Sequence, residues 1–415
     1  MGKLLRIARL AGAAAAIAAA LSACGGGGGG GGGAPQAAAT TTTTTTVSNP
    51  PQSTALNQVP VVVEQNPSIT TYVTLNVPYV SVKVCDSSGA CTTVDHVLLD
   101  TGSYGLRLFA SALNGISLTP QTVSASSGTA TAGQPIGECA NFVTSYMWGS
   151  VDTATVELAG ETAANIPIQV VSDPNFATVP SACSGSGLTQ YTTATQLGAN
   201  GILGVGLMPT DGQNYFACSG AQGTTCQAAT PPAEVMNPVA AFPGDNNGVI
   251  LAMPSVPVSG QATASGVLTF GIDTQGDNSL SGFSVIPGTN FTGTINGQAF
   301  QTGFFDSGSN VYFLTQSGIP VDSSNYFAPA QATTLPVTIT GSGASAAPYQ
   351  TSLTLTAQPA QYSLSVNAYS GLGIHLGNTN TIGDFGIPYF YGKSIAYVIG
   401  GKAVPEATGP AYAVH

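Results

Sequence analysis

Apolar residues recur along this chain in short runs that alternate with polar residues, and Gly and Pro interrupt these runs throughout. The chain contains 53 Gly and 27 Pro among 415 residues. Alternation with a period of two is typical of strands that bury one face, and helical periodicity is scarce here. The clearest such segments are Tyr72–Val77, Val80–Val84, Val94–Leu99, Ala154–Leu158, Ile166–Val171, Gly248–Ala252, Val267–Phe270 and Leu353–Leu355. The pattern therefore predicts an all-β fold built from many short strands.

The first 24 residues follow a different pattern. Three basic residues precede an apolar run, Leu10–Leu21, that is too short to span a bilayer, as in a secretory signal peptide. The segment Leu21-Ser22-Ala23-Cys24 resembles the lipobox of bacterial lipoproteins. This resemblance implies cleavage before Cys24 and attachment of lipid to that residue. The alternative is an ordinary signal peptide followed by an incidental cysteine.

Residues 25–58 are rich in Gly and Thr, and they cannot bury enough apolar surface to offset the entropy of ordering. We expect a disordered tether there. The remaining residues suffice for two lobes with separate cores, which we place at 59–265 and 266–415. We therefore expect an exported chain, anchored through its lipid to the cell envelope, with the folded part in the periplasm or at the cell surface. The outer membrane is favoured because Gly25 follows Cys24, where enteric lipoproteins retained in the inner membrane have Asp.

The net charge of the chain limits which classes of molecule it can bind. After the signal peptide, four basic residues stand against 18 acidic ones, a net charge of −14. A surface so poor in cations cannot neutralise phosphates, so nucleic acid is excluded as a partner. We expect a monomer that acts on a peptide or protein.

The six cysteines after Cys24 predict disulfides, because their number is even and the chain is exported. Cys85–Cys91 and Cys218–Cys226 each bracket a short turn, and elimination leaves Cys139 to pair with Cys183, although six cysteines allow other connectivities. A zinc site is not expected, since there is no CxxC pair and only three His. The sequence predicts neither a metal nor a cofactor.

One arrangement occurs twice. Asp100-Thr101-Gly102-Ser103 follows an apolar strand end, and Asp306-Ser307-Gly308-Ser309 follows another. Further along, each copy is followed by a short step that ends in Gly, at Gly204 and at Gly383. A single Asp-Thr-Gly-Ser is weak evidence, since it fits an ordinary turn. The ordered repetition predicts two related lobes.

Here the chain resembles the pepsin-like aspartic peptidases, over roughly residues 70–401. The resemblance implies a bilobal pepsin-like fold of two related β-barrel-like lobes with a cleft between them, and it makes Asp100 and Asp306 the paired catalytic carboxylates. It also implies that Thr101 and Ser307 join the two loops, that Ser103 and Ser309 hold the carboxylates, and that Gly102, Gly308, Gly204 and Gly383 allow close packing. Chains of this pattern also resemble an uncharacterised bacterial lipoprotein family.

Peptide hydrolysis needs a base to activate water and an acid to protonate the leaving nitrogen. Two carboxylates about 3 Å apart share one proton and can supply both. The first hypothesis is therefore an aspartic endopeptidase. The alternative is a catalytically silent scaffold of the same fold that binds a peptide or glycan at the cell envelope.

Two departures favour the alternative. The mobile flap of the family carries Tyr-Gly, whereas here Tyr146 and Trp148 are the flap candidates, and both are equally interpretable as core aromatics. Arg107 stands where the family has Trp. It would pair with a substrate acid, cap a carboxylate or lie at the surface, and near Asp100 it would lower the pKa of that carboxyl.

Overall fold

The computed structural model describes residues 56–126, 130–342, 347–377 and 381–415. The predicted signal peptide, Cys24 and residues 25–55 of the predicted tether lie outside these ranges. A strand begins at Gln58, which the sequence analysis assigns to the tether. No helix among the described residues is long and apolar enough to cross a membrane. The lobe boundary between 265 and 266 stays a prediction.

Strands dominate the described residues, as the alternation predicts. They are β1 (Gln58–Val63), β2 (Pro78–Cys85), β3 (Cys91–Asp100), β4 (Tyr104–Phe109), β5 (Thr119–Pro120), β6 (Ile136–Asn141), β7 (Ser145–Leu158), β8 (Glu161–Val171), β9 (Thr189–Gln190), β10 (Gly201–Val205), β11 (Asn214–Ser219), β12 (Thr225–Ala228), β13 (Gly248–Ala252), β14 (Ala264–Phe270), β15 (Ser284–Pro287), β16 (Phe291–Ile295), β17 (Gln298–Asp306), β18 (Tyr312–Leu314), β19 (Thr333–Thr340), β20 (Tyr349–Leu355), β21 (Gly373–His375), β22 (Ile382–Gly386), β23 (Ser394–Val398), β24 (Ala403–Val404), β25 (Ala407–Thr408) and β26 (Ala411–Val414). The α-helices are α1 (Ser181–Ser184), α2 (Ala194–Leu197) and α3 (Ile387–Phe390).

Period-two alternation puts the apolar side chains of a strand on one face. In β19, Leu335, Val337 and Ile339 are buried, while the intervening residues are partly or fully exposed. The exposed face is rich in Thr, and Thr334 shares a hydroxyl hydrogen bond of 3.0 Å with Thr354 of β20. The strand therefore buries its apolar face, while polar side chains on its outer face still interact with those of the neighbouring strand.

The first lobe builds a crossed three-strand motif around Asp100. Strand β10 runs parallel to β3, with Gly204 beside Asp100, and antiparallel to β4, with Gly204 beside Gly105. It therefore lies between the strand that ends at Asp100 and the strand that leaves the loop.

The second lobe repeats this motif around Asp306. Strand β22 runs parallel to β17, with Gly386 beside Asp306, and antiparallel to β18. The prediction of two related lobes in an all-β chain is confirmed.

Six strands of the large sheet that also contains β3, β4 and β10 join distant parts of the chain. Strands β1, β14, β13, β23, β26 and β15 pair in this order, all antiparallel. The start, middle and end of the described chain therefore share one sheet.

Seven of the eight strand segments predicted from the sequence lie within strands, and the one at Tyr72–Val77 is wrong. Asn76 has a φ of 54°, and it is fully buried. Its side-chain amide donates to Asn310 O at 2.8 Å and to Tyr369 O at 2.9 Å. These polar contacts to the second lobe take the backbone out of a strand.

All three predicted disulfides are present and confirmed. They join Cys85 to Cys91, Cys139 to Cys183 and Cys218 to Cys226. In two of them the cysteines are direct partners across an antiparallel pair, Cys85 with Cys91 and Cys218 with Cys226.

Candidate active site

Asp100 is the last residue of β3, and the turn that follows folds back onto its carboxylate. The backbone N–H of Gly102 donates to Asp100 Oδ1 at 2.8 Å, and the Ser103 hydroxyl donates to Oδ2 at 2.5 Å. Asp100 is 6% exposed. Two donors on a buried carboxylate hold its plane fixed.

Asp306 is held in the same way at the end of β17. Gly308 N donates to Asp306 Oδ1 at 2.8 Å, and Ser309 Oγ lies 3.0 Å from Oδ2. Asp306 is partly exposed, and Gly102 beside it is exposed. The two carboxylates therefore meet next to a surface open to solvent.

The second residue of each loop ties the loops together. Thr101 N donates to Ser307 Oγ at 3.1 Å, and Ser307 N donates to Thr101 Oγ1 at 2.9 Å. Both side chains are buried. Reciprocal bonds between two strand ends that are 206 positions apart in the chain fix the lobes against each other at this point.

Each loop glycine lies against the carboxylate of the other loop. A Cβ atom on Gly102 would overlap the Asp306 carboxylate, and one on Gly308 would lie 2.7 Å from Asp100 Cγ. Any larger residue would therefore push a carboxylate away. The glycines permit an approach in which Asp100 and Asp306 are within hydrogen-bonding reach of each other.

Although Asp306 as a residue is partly exposed, its carboxyl is enclosed between the two loops, and this burial raises its pKa well above the usual value. The charges of Asp100 and Asp384 raise it further. A proton therefore stays with the pair at pH values where an exposed carboxyl has lost it. Because the two groups are in contact, the retained proton belongs to the pair rather than to one residue.

Asp384, in β22, is a third acid at this site. Burial raises its pKa to about 8. Ser309 Oγ lies 2.7 Å from Asp384 Oδ2 as well as 3.0 Å from Asp306 Oδ2. Ser309 has one hydroxyl hydrogen to donate, so it serves one of these two carboxyls at a time and links Asp306 to Asp384.

The prediction that Gly383 packs beside the second Asp loop is wrong. Gly383 pairs with Gly303, three residues before Asp306, and Gly386 pairs with Asp306 itself. A Cβ atom on Gly386 would overlap the carbonyl oxygens of Ser309 and Val311. Gly386 therefore corresponds to Gly204, where a Cβ atom would lie 2.7 Å from the backbone of Tyr104.

Arg107 is buried, which rules out the surface position, and its guanidinium is bound by acids of this chain. Its Nη2 donates to Glu138 Oε1 at 2.8 Å and also to Asp211, and its Nη1 donates to Tyr104 O at 2.7 Å. Burial raises the pKa of Glu138 well above its usual value. Of the sequence interpretations, the cap on a carboxylate fits, and an ion pair with a substrate does not.

Tyr146 and Trp148 are core aromatics, so the flap interpretation is wrong. They are 4% and 2% exposed, and they pack with Phe176 and the Cys139–Cys183 disulfide. Trp148 Nε1 donates to Phe176 O at 2.7 Å. Neither ring is free to cover the paired carboxylates.

Sequence reasoning missed three residues at the site besides Gly386: Asp384, Tyr104 and Tyr397. The charges of Asp100 and Asp306 help burial to raise the pKa of Tyr104, which follows Ser103 directly. Asp384 directly follows Gly383, which ends the short step after the second Asp loop. An acidic residue at that position is a sequence signal from which Asp384 could have been proposed. Tyr397 lies in β23 and carries no sequence signal.

Among the described residues, the cluster whose side-chain atoms lie close enough together to hold a metal ion consists of Cys85, Cys91 and Glu157. Both cysteines are in a disulfide, so neither offers a thiolate to a metal.

Comparison with known proteins finds similar solved structures and a matching family model. The chain is similar to the crystal structure of an aspartic proteinase from Irpex lacteus, with 16% identity and a TM-score of 0.46 over 86% of this chain and 96% of that one. No curated protein matches it. The model of a family described as a protein of unknown function, DUF3443, matches residues 53–414, and the chain belongs to that family.

Proposed function

We propose that this protein is an aspartic endopeptidase that hydrolyses peptide bonds with Asp100 and Asp306. The observation that carries the proposal is the contact between the two carboxylates, each held by its own Gly N–H and Ser hydroxyl, with the pKa of Asp306 raised. A pair that retains one proton has the acid and the base that hydrolysis needs.

The reaction uses this chain's own groups. The ionised carboxylate of the pair takes a proton from water, whose oxygen then bonds to the peptide carbonyl carbon. The protonated carboxyl gives its proton to the carbonyl oxygen. When the C–N bond breaks, the carboxyl that now holds a proton gives it to the leaving nitrogen, and one hydroxyl of the tetrahedral intermediate returns a proton to the other carboxylate as the C=O bond re-forms. The protons balance, so the pair is regenerated with one proton.

We also propose that the enzyme works at the bacterial cell envelope, held by lipid on Cys24 with residues 25–55 as a spacer. The support is the sequence pattern of 1–24 alone. Mass spectrometry of the exported protein tests this, because a lipidated Cys24 would be the first residue of the mature chain, whereas an unmodified Cys24 would contradict it.

The test of the activity is cleavage of a mixed peptide library by the full-length chain between pH 3 and pH 7. The Asp306→Asn variant is expected to lose about 100- to 10,000-fold in rate, since it removes one partner of the acid–base pair. Liquid chromatography with mass spectrometry would identify the products and their rates.

Asp152→Asn is the matched control. Asp152 is 5% exposed, and its carboxylate accepts from Ser150 at 3.0 Å, away from both Asp loops. This variant should cleave like the wild type. Equal cleavage by wild type and Asp306→Asn would refute the proposal.

The second candidate is a silent scaffold that binds a peptide or glycan. It is favoured by the burial of Tyr146 and Trp148, which leaves the paired carboxylates without the flap aromatics expected from the sequence. A folded wild type that cleaves no peptide in the library, but retains peptides or glycans on an array, would establish this function instead.

A further inference from the structure

The hydrogen bonds that the second residue of each Asp loop makes beneath the loops differ between the two lobes. Leu99 and Phe305 precede Asp100 and Asp306. Ser307 Oγ donates directly to Leu99 O at 2.7 Å. The mirror bond would run from Thr101 Oγ1 to Phe305 O. Instead, Thr101 Oγ1 donates to the Tyr397 hydroxyl at 2.9 Å, and that hydroxyl donates to Phe305 O at 3.1 Å.

Tyr397 is held firmly where it makes this bridge. It lies in β23, paired with Val249 of β13 on one side and with Tyr412 of β26 on the other. It is fully buried, and its ring meets that of Tyr412 edge to face at 5.4 Å. The ring therefore cannot turn away, and its hydroxyl is fixed under both loops.

Burial raises the pKa of Tyr397 well above its usual value, so the hydroxyl keeps its hydrogen at any pH at which the enzyme would work. A buried hydroxyl and a buried carbonyl both need partners. If the Tyr397 oxygen were removed, Thr101 would lose the acceptor of its hydroxyl hydrogen, and Phe305 O would lose the Tyr397 hydroxyl as a donor.

We propose that Tyr397 is a positioning residue for the paired aspartates: by bridging Thr101 and Phe305 O, it sets how closely the two carboxylates approach. This inference rests on the proposed function, because a positioning role needs a reaction. Without the bridge the reciprocal bonds between Thr101 and Ser307 remain, but Thr101 loses its link to Phe305 O, whereas Ser307 keeps its bond to Leu99 O. The carboxylates then separate, and they share their proton less well.

The experiment compares full-length wild type with Tyr397→Phe. Carbon-13 NMR of the aspartate carboxyls follows the two apparent pKa values of the pair, and peptide cleavage gives kcat and KM. In the variant we expect the two pKa values to move closer together by at least about half a unit, because weaker sharing reduces their separation. We expect kcat to fall about 10-fold with little change in KM, since misplacement affects the reacting groups rather than peptide binding.

Tyr79→Phe is the matched control. Tyr79 is 4% exposed, and its hydroxyl donates to a backbone carbonyl, Gly198 O, at 2.7 Å. This variant also deletes one buried tyrosine hydroxyl oxygen, but that hydroxyl contacts neither Asp loop. The titration of the paired aspartates and kcat should therefore stay at the wild-type values. A change of equal size in both variants would mean a general effect of losing a buried hydroxyl, and it would overturn the proposal.

The outcomes separate the two proposals. If wild type cleaves peptides and Tyr397→Phe titrates and cleaves like it, the positioning role is overturned and the proposed function stands. If wild type cleaves nothing but the pKa separation still narrows in Tyr397→Phe, the positioning of the pair stands and the proposed function fails. If Tyr397→Phe does not fold, Thr101→Val removes the bond to Tyr397 together with the bond from Ser307 N, while Thr101→Ser keeps both. Identical titrations of these two variants would also overturn the role.

Discussion

At the scale of single residues, two nearly identical tetrapeptides have unequal surroundings. Ser103 serves one carboxylate, that of Asp100, whereas Ser309 lies between Asp306 and Asp384. The second loop is therefore linked to an acid that stays protonated up to about pH 8. This asymmetry gives the two aspartates different environments, although the two tetrapeptides differ only at their second residue.

Asp384 should make the folded protein less stable as pH rises. Its pKa is 3.8 as an ordinary carboxyl and about 8 in the fold, so the folded state holds the proton more tightly. This carboxyl therefore lowers the stability of the wild type progressively between about pH 4 and pH 8, and Asp384→Asn, which is neutral at this position, lacks that contribution. The advantage of the variant in unfolding free energy should grow across this window by up to ~6 kcal/mol, as urea unfolding at several pH values would measure.

Asp86→Asn controls for the loss of an acid elsewhere. Hydrogen bonds, first from the Ser117 backbone and then from Ser88, lower the pKa of Asp86 to about 2. Its stabilising effect is complete above the usual pKa of 3.8, so the difference between this variant and wild type should be constant from pH 5 to pH 8. A constant difference for Asp384→Asn as well would show that Asp384 does not titrate in this window.

The residues at the site differ in whether the sequence alone could predict their roles. Asp100, Asp306 and their neighbours could be found because each loop is a local pattern that occurs twice. Gly386 and Tyr397 could not, since their roles depend on which residue of a distant strand lies opposite. A register difference of three residues decided between Gly383 and Gly386. Sequence alternation does not contain that information.

At the scale of elements, alternation predicted strands well where the neighbours of a segment are other strands. It failed at Tyr72–Val77, where the amide of Asn76 binds two carbonyls of the other lobe. It also left the β6–β7 hairpin open to a flap interpretation. A disulfide and an aromatic cluster bury that hairpin, and their contacts come from residues 176–226.

The Cys139–Cys183 disulfide should stabilise the fold more than Cys85–Cys91. It joins residues 44 apart in the chain, whereas the other joins residues 6 apart. Closing the longer loop restricts the unfolded chain more, by about 4 kcal/mol against about 2 kcal/mol. Urea unfolding of Cys139→Ser/Cys183→Ser and Cys85→Ser/Cys91→Ser should show this difference. An equal or smaller loss in the first double variant would contradict it.

At the scale of the whole molecule, the paired aspartates depend on contacts between distant parts of the chain. The loops are 206 residues apart, and the sheet that holds Tyr397 takes strands from the start, middle and end of the described chain. Phe305 adds an aromatic support behind Asp306, stacked on Tyr389 at 5.2 Å. The geometry of the pair is therefore a property of the assembled fold, and neither lobe contains it alone.

The most direct test of the central claim is whether the two aspartates act as one unit. It compares kcat/KM for peptide cleavage in wild type, Asp100→Asn, Asp306→Asn and the double variant, with circular dichroism to show that each is folded. If one proton is shared, either single change should abolish nearly all activity, and the double variant should lose no more than the single variants. Losses that multiply, or a single variant within about 10-fold of wild type, would contradict a shared acid–base pair.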